Sequence, residues 1–228
     1  MVKTRAQLDL RCYVVTGNGS QDDIVVTAAQ AAAGGAGVIQ VRSKPIGAGQ
    51  LLKLAEKVSL AVAEANPATK ILIDDRVDIA AILMRRGLPV HGVHVGQSDI
   101  PVTDVRELLG PDAIIGLTTG TAELIQQANE YADIIDYVGA GPFRPTPTKD
   151  SGRDPIGLDG YPRLVELSQL PIVAIGDVQP ADVTALASTG IAGVAMVRAF
   201  IEAPSATELA QQIIADFSAG LQMSGATS

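Results

Sequence analysis

The sequence predicts an α/β fold, a TIM (β/α)8 barrel in a single domain. Three observations lead there. Eight short apolar runs recur along the chain, each followed by a helix-like segment. The length of 228 residues suits one large core. And 47% of the residues are hydrophobic while only 3% are aromatic, with no Trp. The core must therefore be built from Val, Ile, Leu and Ala, the residues that parallel strands buried on both faces require.

In order, the strand-like runs are 11–16, 38–42, 71–74, 92–95, 113–117, 135–139, 171–175 and 193–197. Most are rich in Val and Ile and end in a polar or Gly-containing loop, which is the strand signal. The helical segments are 24–33, 50–65, 77–85, 103–109, 122–131, 160–167, 180–188 and 206–217. In 50–65, residues Leu51, Leu54, Ala55, Val58 and Val62 mark one face at helical spacing. Thr103, Thr121 and Ser205 are expected as N-caps. Strict β-then-α alternation implies parallel strands with right-handed crossovers, and eight units are the number at which such a sheet closes. An open doubly wound sheet is the alternative. Its glycine fingerprint is only imitated by Gly17-Asn18-Gly19, with no third glycine in place.

The barrel is expected to occupy residues 1–218, and the small, polar residues 219–228 are expected to be a frayed tail. One connection, 140–158, is long and rich in Pro, Gly and Thr, as functional lids often are. The net charge of −8 disfavours nucleic acid and anionic membrane surfaces as partners. No apolar run reaches the length of a transmembrane helix, and the first residues lack a signal-peptide core. Cys12 is the single cysteine, so no internal disulfide can form and a reducing cytoplasm is the expected setting.

Barrels of this kind carry their active sites at the C-terminal ends of the strands. There the sequence places Gln40, Arg42 and Lys44 after the second run and Asp74 and Asp75 after the third. His94 and Asp99 follow in the fourth, and Thr118 ends the fifth. Thr146, Thr148 and Lys149 lie after the sixth, Gly176 and Asp177 after the seventh, and Val197 and Arg198 at the eighth. Gln40, Arg42 and Lys44 alternate at strand spacing and so share a side. Arg offers phosphate a planar fork and Lys a point charge. Asp75 and Asp99 together supply hard oxygen ligands for Mg2+, leaving positions for water and phosphate oxygens. Thr146, Thr148 and Lys149 add two hydroxyls and a cation on the long loop. The set describes a diphosphate–Mg2+ site with a lid. Singly, each has a plainer reading: Arg42 and Lys44 as solvated charges, the aspartates as helix caps, Thr-Pro-Thr as a rigid turn, and His94 as structural.

The motifs Gln40-x-Arg42-x-Lys44, Gly92-x-His94-x-Gly96-Gln97-x-Asp99 and Asp136-Tyr137-Val138-Gly139-x-Gly141-Pro142, with Thr146-Pro147-Thr148-Lys149 after it, resemble those of thiamine phosphate synthases. The resemblance spans roughly 10–217. It implies a homodimeric barrel transferase that joins 4-amino-5-hydroxymethyl-2-methylpyrimidine diphosphate to a thiazole ethyl phosphate, giving thiamine phosphate and diphosphate. It places the pyrimidine diphosphate contacts on Gln40, Arg42, Lys44, Asp74, Thr118 and Lys149. Of these, Arg42, Lys44 and Lys149 neutralise the leaving group. It places the Mg2+ ligands on Asp75 and Asp99, and the thiazole phosphate contacts on Thr146, Thr148, Gly176, Val197 and Arg198. The implied step is dissociative, since the electron-rich ring stabilises a carbocation and no covalent enzyme intermediate is required.

The chain departs from the family pattern at several positions. Asp74 replaces the usual Asn, Thr118 a Ser, and Gly120 a frequent His. Ile175-Gly176-Asp177-Val178 replaces Ile-Gly-Gly-Ile, and Arg198 a Ser. Arg198 is therefore expected either to bind the phosphate or to pair with Asp177. Rival functions are a thiazole tautomerase, which would call for a proton-transfer residue near Gly120, a catalytically silent thiamine phosphate-binding barrel, and another phosphate-handling barrel that uses only the last two strand ends.

Overall fold

The computed structural model describes residues 8–145 and 152–225. Eight parallel strands pair in sequence order and the eighth closes on the first, forming a barrel. They are β1 (Cys12–Val15), β2 (Val38–Val41), β3 (Lys70–Asp74), β4 (Gly92–Val95), β5 (Ile114–Thr119), β6 (Tyr137–Ala140), β7 (Ile172–Ala174) and β8 (Gly193–Met196). Around them run α1 (Gln21–Ala33), α2 (Ala48–Ala65), α3 (Val77–Arg85), α4 (Val102–Leu109), α5 (Ala122–Asn129), α6 (Gly157–Leu167), α7 (Val183–Ser188), α8 (Arg198–Glu202) and α9 (Ala206–Gly225). Among the described residues no helix is long and apolar enough to cross a membrane.

The near-continuous apolar strands are explained by two separate cores. Val14, Ile39, Val41, Ile71, Ile73 and Val93 face outward and pack beneath the helices. Tyr13, Val15, Val38, Leu72, Tyr137, Val173 and Ala195 face inward and fill the barrel. Each strand is thus apolar on both faces, as a parallel sheet covered by helices demands. The interior filling includes two tyrosines, so some strand positions must be small. Gly116 is one: a Cβ there would collide with the Tyr137 ring and hydroxyl.

Three details differ from the sequence expectation. Thr103 does not cap α4, because the helix begins one residue earlier with Pro101 at the cap. Thr121 and Ser205 do cap, accepting from the Leu124 and Glu208 amides. Helix α9 continues to Gly225, past residue 219 where fraying was expected. Gly220 explains this, since its missing side chain lets α9 approach the Thr184 carbonyl of α7 closely. Finally, the short helix α8, absent from the sequence reading, follows β8 directly.

Candidate active site

Alternation along β2 turns Gln40 and Arg42 to the barrel interior while Ile39 and Val41 face the helices. Asp74 ends β3, His94 lies in β4 and Thr118 near the end of β5, and all of them line one cavity at the C-terminal mouth. Gly176, Val197 and Arg198 line the same cavity from the opposite side. Nine of the residues singled out from sequence (Gln40, Arg42, Asp74, His94, Thr118, Gly176, Asp177, Val197 and Arg198) therefore converge. Thr146, Thr148 and Lys149 lie outside the described residues.

Lys44, Asp75 and Asp99 join the cavity through Asp74. Lys44 Nζ stands 3.3 Å from Asp74 Oδ2 and is also ion-paired with Asp75. Arg42 Nε lies 3.4 Å from the same Asp74 oxygen. The carboxylate that replaces the family's Asn is thus answered by two cations. Burial, first, and the neighbouring Asp75 nevertheless push the Asp74 carboxyl above its ordinary range, against the pull of Lys44 and Arg42. Burial alone would lower Lys44, but the bond to Asp75 and the attraction of both aspartates hold it above its ordinary value.

Asp75 and Asp99 meet. Asp99 Oδ2 accepts from the Gly96 amide at 2.6 Å, which fixes the loop after β4. Burial raises the Asp99 carboxyl, and the charge and hydrogen bonding of Asp75 raise it further, against the Gly96 amide. Two carboxylates in contact oppose each other's ionisation, a conflict that a hard divalent cation relieves. The donor set therefore fits Mg2+. Among the described residues no larger cluster of His, Cys, Asp and Glu has metal-binding spacing. Two protein carboxylates leave most of an octahedral shell to water and phosphate oxygens, as is usual for this ion.

Two buried side-chain atoms among the described residues lack a hydrogen-bond partner, Gln40 Nε2 and Asp74 Oδ2. Both residues line this cavity. The Asp74 oxygen has its cations at ion-pair distance only, and the Gln40 amide has no acceptor. Buried polar groups are normally satisfied, and of the two it is the Gln40 amide, with no cation or acceptor beside it, that is open to a ligand in this cavity.

On the other side, Asp177 takes a left-handed backbone, φ 59°, directly after Gly176 at φ 99°. Its Oδ1 accepts from Gln179 Nε2 at 3.0 Å and from Arg198. Of the two expectations for Arg198, pairing with Asp177 is the one observed. Arg144 anchors the start of the long loop after β6. It donates to both Asp182 oxygens, to Oδ2 at 2.7 Å, and to the Asp177 carbonyl at 3.1 Å.

Sequence reasoning missed Arg153, which lines the cavity and donates to the carbonyls of Thr119 and Gly141. Its place within the long Pro- and Gly-rich loop was the only signal. Sequence reading also gave His94 no partners. In the structure its Nδ1 meets Tyr137 Oη at 2.8 Å and its Nε2 meets Thr118 Oγ1 at 2.9 Å. Gly120 has φ 148°, and a Cβ there would collide with the Gly141 carbonyl, so the tautomerase-type His has no room at this position.

Comparison with known proteins agrees with this geometry. Residues 12–200 match the family model described as thiamine monophosphate synthase. The thiamine-phosphate synthase of Corynebacterium efficiens is 61% identical over 94% of this chain and 98% of the relative. That of Corynebacterium jeikeium is likewise 61% identical, over 93% of this chain and 97% of the relative. The solved thiamine phosphate pyrophosphorylase of Pyrococcus furiosus superposes with a TM-score of 0.78 at 26% identity, covering 94% of this chain and 98% of that one. With its closed barrel, its convergent strand-end residues and these relatives along nearly its whole length, the chain belongs to the thiamine monophosphate synthase family.

Proposed function

We propose that the chain is a thiamine phosphate synthase. It displaces diphosphate from the aminopyrimidine methyl diphosphate with the ring nitrogen of thiazole ethyl phosphate, giving thiamine phosphate. The observation that carries this reading is the single cavity onto which Gln40, Arg42, Asp74 and Thr118 converge from one side and Gly176, Val197 and Arg198 from the other. It offers one half to each substrate.

Gln40 and Thr118 orient the pyrimidine ring. Arg42 and Lys44, held in place by Asp74 and Asp75, bind the diphosphate and stabilise the charge that develops on its leaving oxygens. Mg2+, held by Asp75 and Asp99, supplies further neutralisation of that charge when bound. Gly176, Val197 and Arg198 hold the thiazole phosphate so that its nitrogen faces the carbon losing diphosphate. Thr146 and Thr148 complete that phosphate site, and Lys149 the diphosphate site, in this proposal. No general base is required, because the attacking nitrogen carries no proton. The apolar floor of Val15, Val173, Ile175 and Ala195 keeps water from the reacting carbon. The reading includes a homodimer of one-domain barrels working in the cytoplasm.

Incubation with both substrates and Mg2+, with and without EDTA, tests it. Release of diphosphate together with thiamine phosphate, abolished by EDTA and restored by excess Mg2+, is expected. Turnover of neither substrate would sink the reading.

A further inference from the structure

Four polar side chains inside the barrel form an unbroken chain of hydrogen bonds. Tyr13 Oη lies 2.7 Å from Tyr137 Oη. Tyr137 Oη lies 2.8 Å from His94 Nδ1, and His94 Nε2 lies 2.9 Å from Thr118 Oγ1. These residues sit on β1, β6, β4 and β5, so the barrel itself assembles them. Space is cleared for them. A Cβ on Gly116 would collide with the Tyr137 hydroxyl and crowd His94 Nδ1, and one on Gly139 would approach His94 Cε1 to 3.2 Å.

The direction of the chain follows from where it ends. A neutral imidazole has one donor nitrogen and one acceptor nitrogen. If Thr118 donated to His94, the protons would run inward, His94 to Tyr137 and Tyr137 to Tyr13. The last O–H would then belong to Tyr13, which is only 2% exposed at the floor of the cavity and packs against Leu10, Val38, Leu72, Val173 and Ala195. Among the described residues Tyr13 Oη meets no hydrogen-bond partner besides Tyr137. An imidazolium has the same result, because both of its nitrogens donate. Running the chain outward leaves no orphan at the buried end. Tyr13 donates to Tyr137, Tyr137 to His94 Nδ1, and His94 Nε2–H to Thr118 Oγ1. The surplus O–H is then on Thr118, the half-buried end of the chain at the cavity wall. A buried unsatisfied donor is the more costly ending, so the outward direction is favoured.

We propose that Tyr13, Tyr137 and His94 are positioning residues that form a one-way relay, fixing the Thr118 hydroxyl as a donor into the cavity. Gln40 Nε2 is a second donor into the same cavity without an acceptor of its own. At the Thr118 end the pocket therefore favours a heteroaromatic ring that presents an acceptor nitrogen rather than an N–H group, and the Gln40 amide can meet a second acceptor. A pyrimidine with two bare ring nitrogens has that character, and this last step rests on the synthase reading.

The tautomer of His94 is read directly from ring 15N–1H spectra of the histidine-labelled protein recorded without substrate. The chain has only two histidines, and His91→Gln assigns them. The expected result is a protonated Nε2 and a bare Nδ1 for His94, with the Nδ1 resonance moving downfield in Tyr137→Phe as its hydrogen bond is lost. A protonated Nδ1 in the wild type, a doubly protonated ring, or an Nδ1 resonance indifferent to Tyr137→Phe would overturn the relay. In turnover, Thr118→Val is expected to raise KM for the pyrimidine diphosphate by about tenfold, while Thr118→Ser stays near wild type. Equal KM values for the two variants would overturn the donor role of Thr118. If no thiamine phosphate forms at all, the synthase reading fails alone, since the spectra decide the relay without substrate.

Discussion

Arg198 donates to the carboxylate of Asp177, linking the first residue of α8 to the loop after β7. The pair places a cation and an anion where the family pattern has a serine and a glycine, so any phosphate bound there competes with Asp177 for the guanidinium. Arg198→Ser is expected to raise KM for thiazole phosphate by about tenfold or more, the scale of a lost hydrogen bond to a charged group. Asp177→Asn keeps a residue that tolerates φ 59° and removes the competitor, so KM is expected to fall severalfold. Steady-state kinetics at saturating pyrimidine diphosphate measures both. An unchanged or improved KM in Arg198→Ser removes Arg198 from phosphate binding.

The contact between Asp75 and Asp99 yields a second prediction. Asp75 has φ 56°, which Asn also tolerates, so Asp75→Asn removes charge without new backbone strain. Turnover is expected to drop by about a thousandfold or more, as when a metal ligand is lost. Circular dichroism should report an intact barrel. Retention of most turnover would count against these carboxylates as the Mg2+ site.

Gly116 offers a test of packing. Gly116→Ala forces a methyl group against the Tyr137 ring and His94. Overpacking of this kind costs about 1–3 kcal/mol. Urea denaturation should show a loss of that size, and a variant as stable as the wild type would mean that the interior has slack.

Asp182 carries a pH signature. Burial raises its carboxyl, but the hydrogen bonds from Arg144 and the Gln179 amide prevail and hold it below the ordinary carboxylate value. A depressed folded-state pKa contributes stability that is present above the unfolded pKa and disappears as pH falls through the folded one. Arg144 is 41% exposed, so solvent screening limits the contribution to about 1 kcal/mol. Asp182→Asn should be less stable than the wild type by that amount at pH 7, and the gap should close once Asp182 is protonated in acid. A gap independent of pH would place its origin outside the ion pair.

Much of the barrel could be read from the chain because each strand carries its own signal. In β2, Gln40 and Arg42 interrupt a run of Val and Ile at a spacing of two, which fixed both the strand and the side that faces the site. The Asp75–Asp99 meeting was inferable because adjacent strands end beside one another. What stayed hidden depends on side-chain geometry across distance. The choice of Arg198 between phosphate and Asp177 turns on a rotamer, which no spacing encodes. The partners of His94 arrive from β5 and β6, one of them 43 residues away. Thr103 looked like a cap because its residue type suits one, but Pro101 precedes it and starts the helix sooner. Helix α9 outran its expected end because Gly220, which reads as a breaker, is needed for close contact with α7.

The left-handed backbone of Asp75 has an evolutionary consequence. A glycine at residue 75 would relax that conformation and also end the repulsion with Asp74 and Asp99. Selection for backbone relaxation alone would favour glycine there, at the loss of the ion pair with Lys44 and of the carboxylate proposed to hold Mg2+. If the proposed metal role holds, a collection of descendants screened only for heat resistance should lose this aspartate early, while one screened for turnover should keep it.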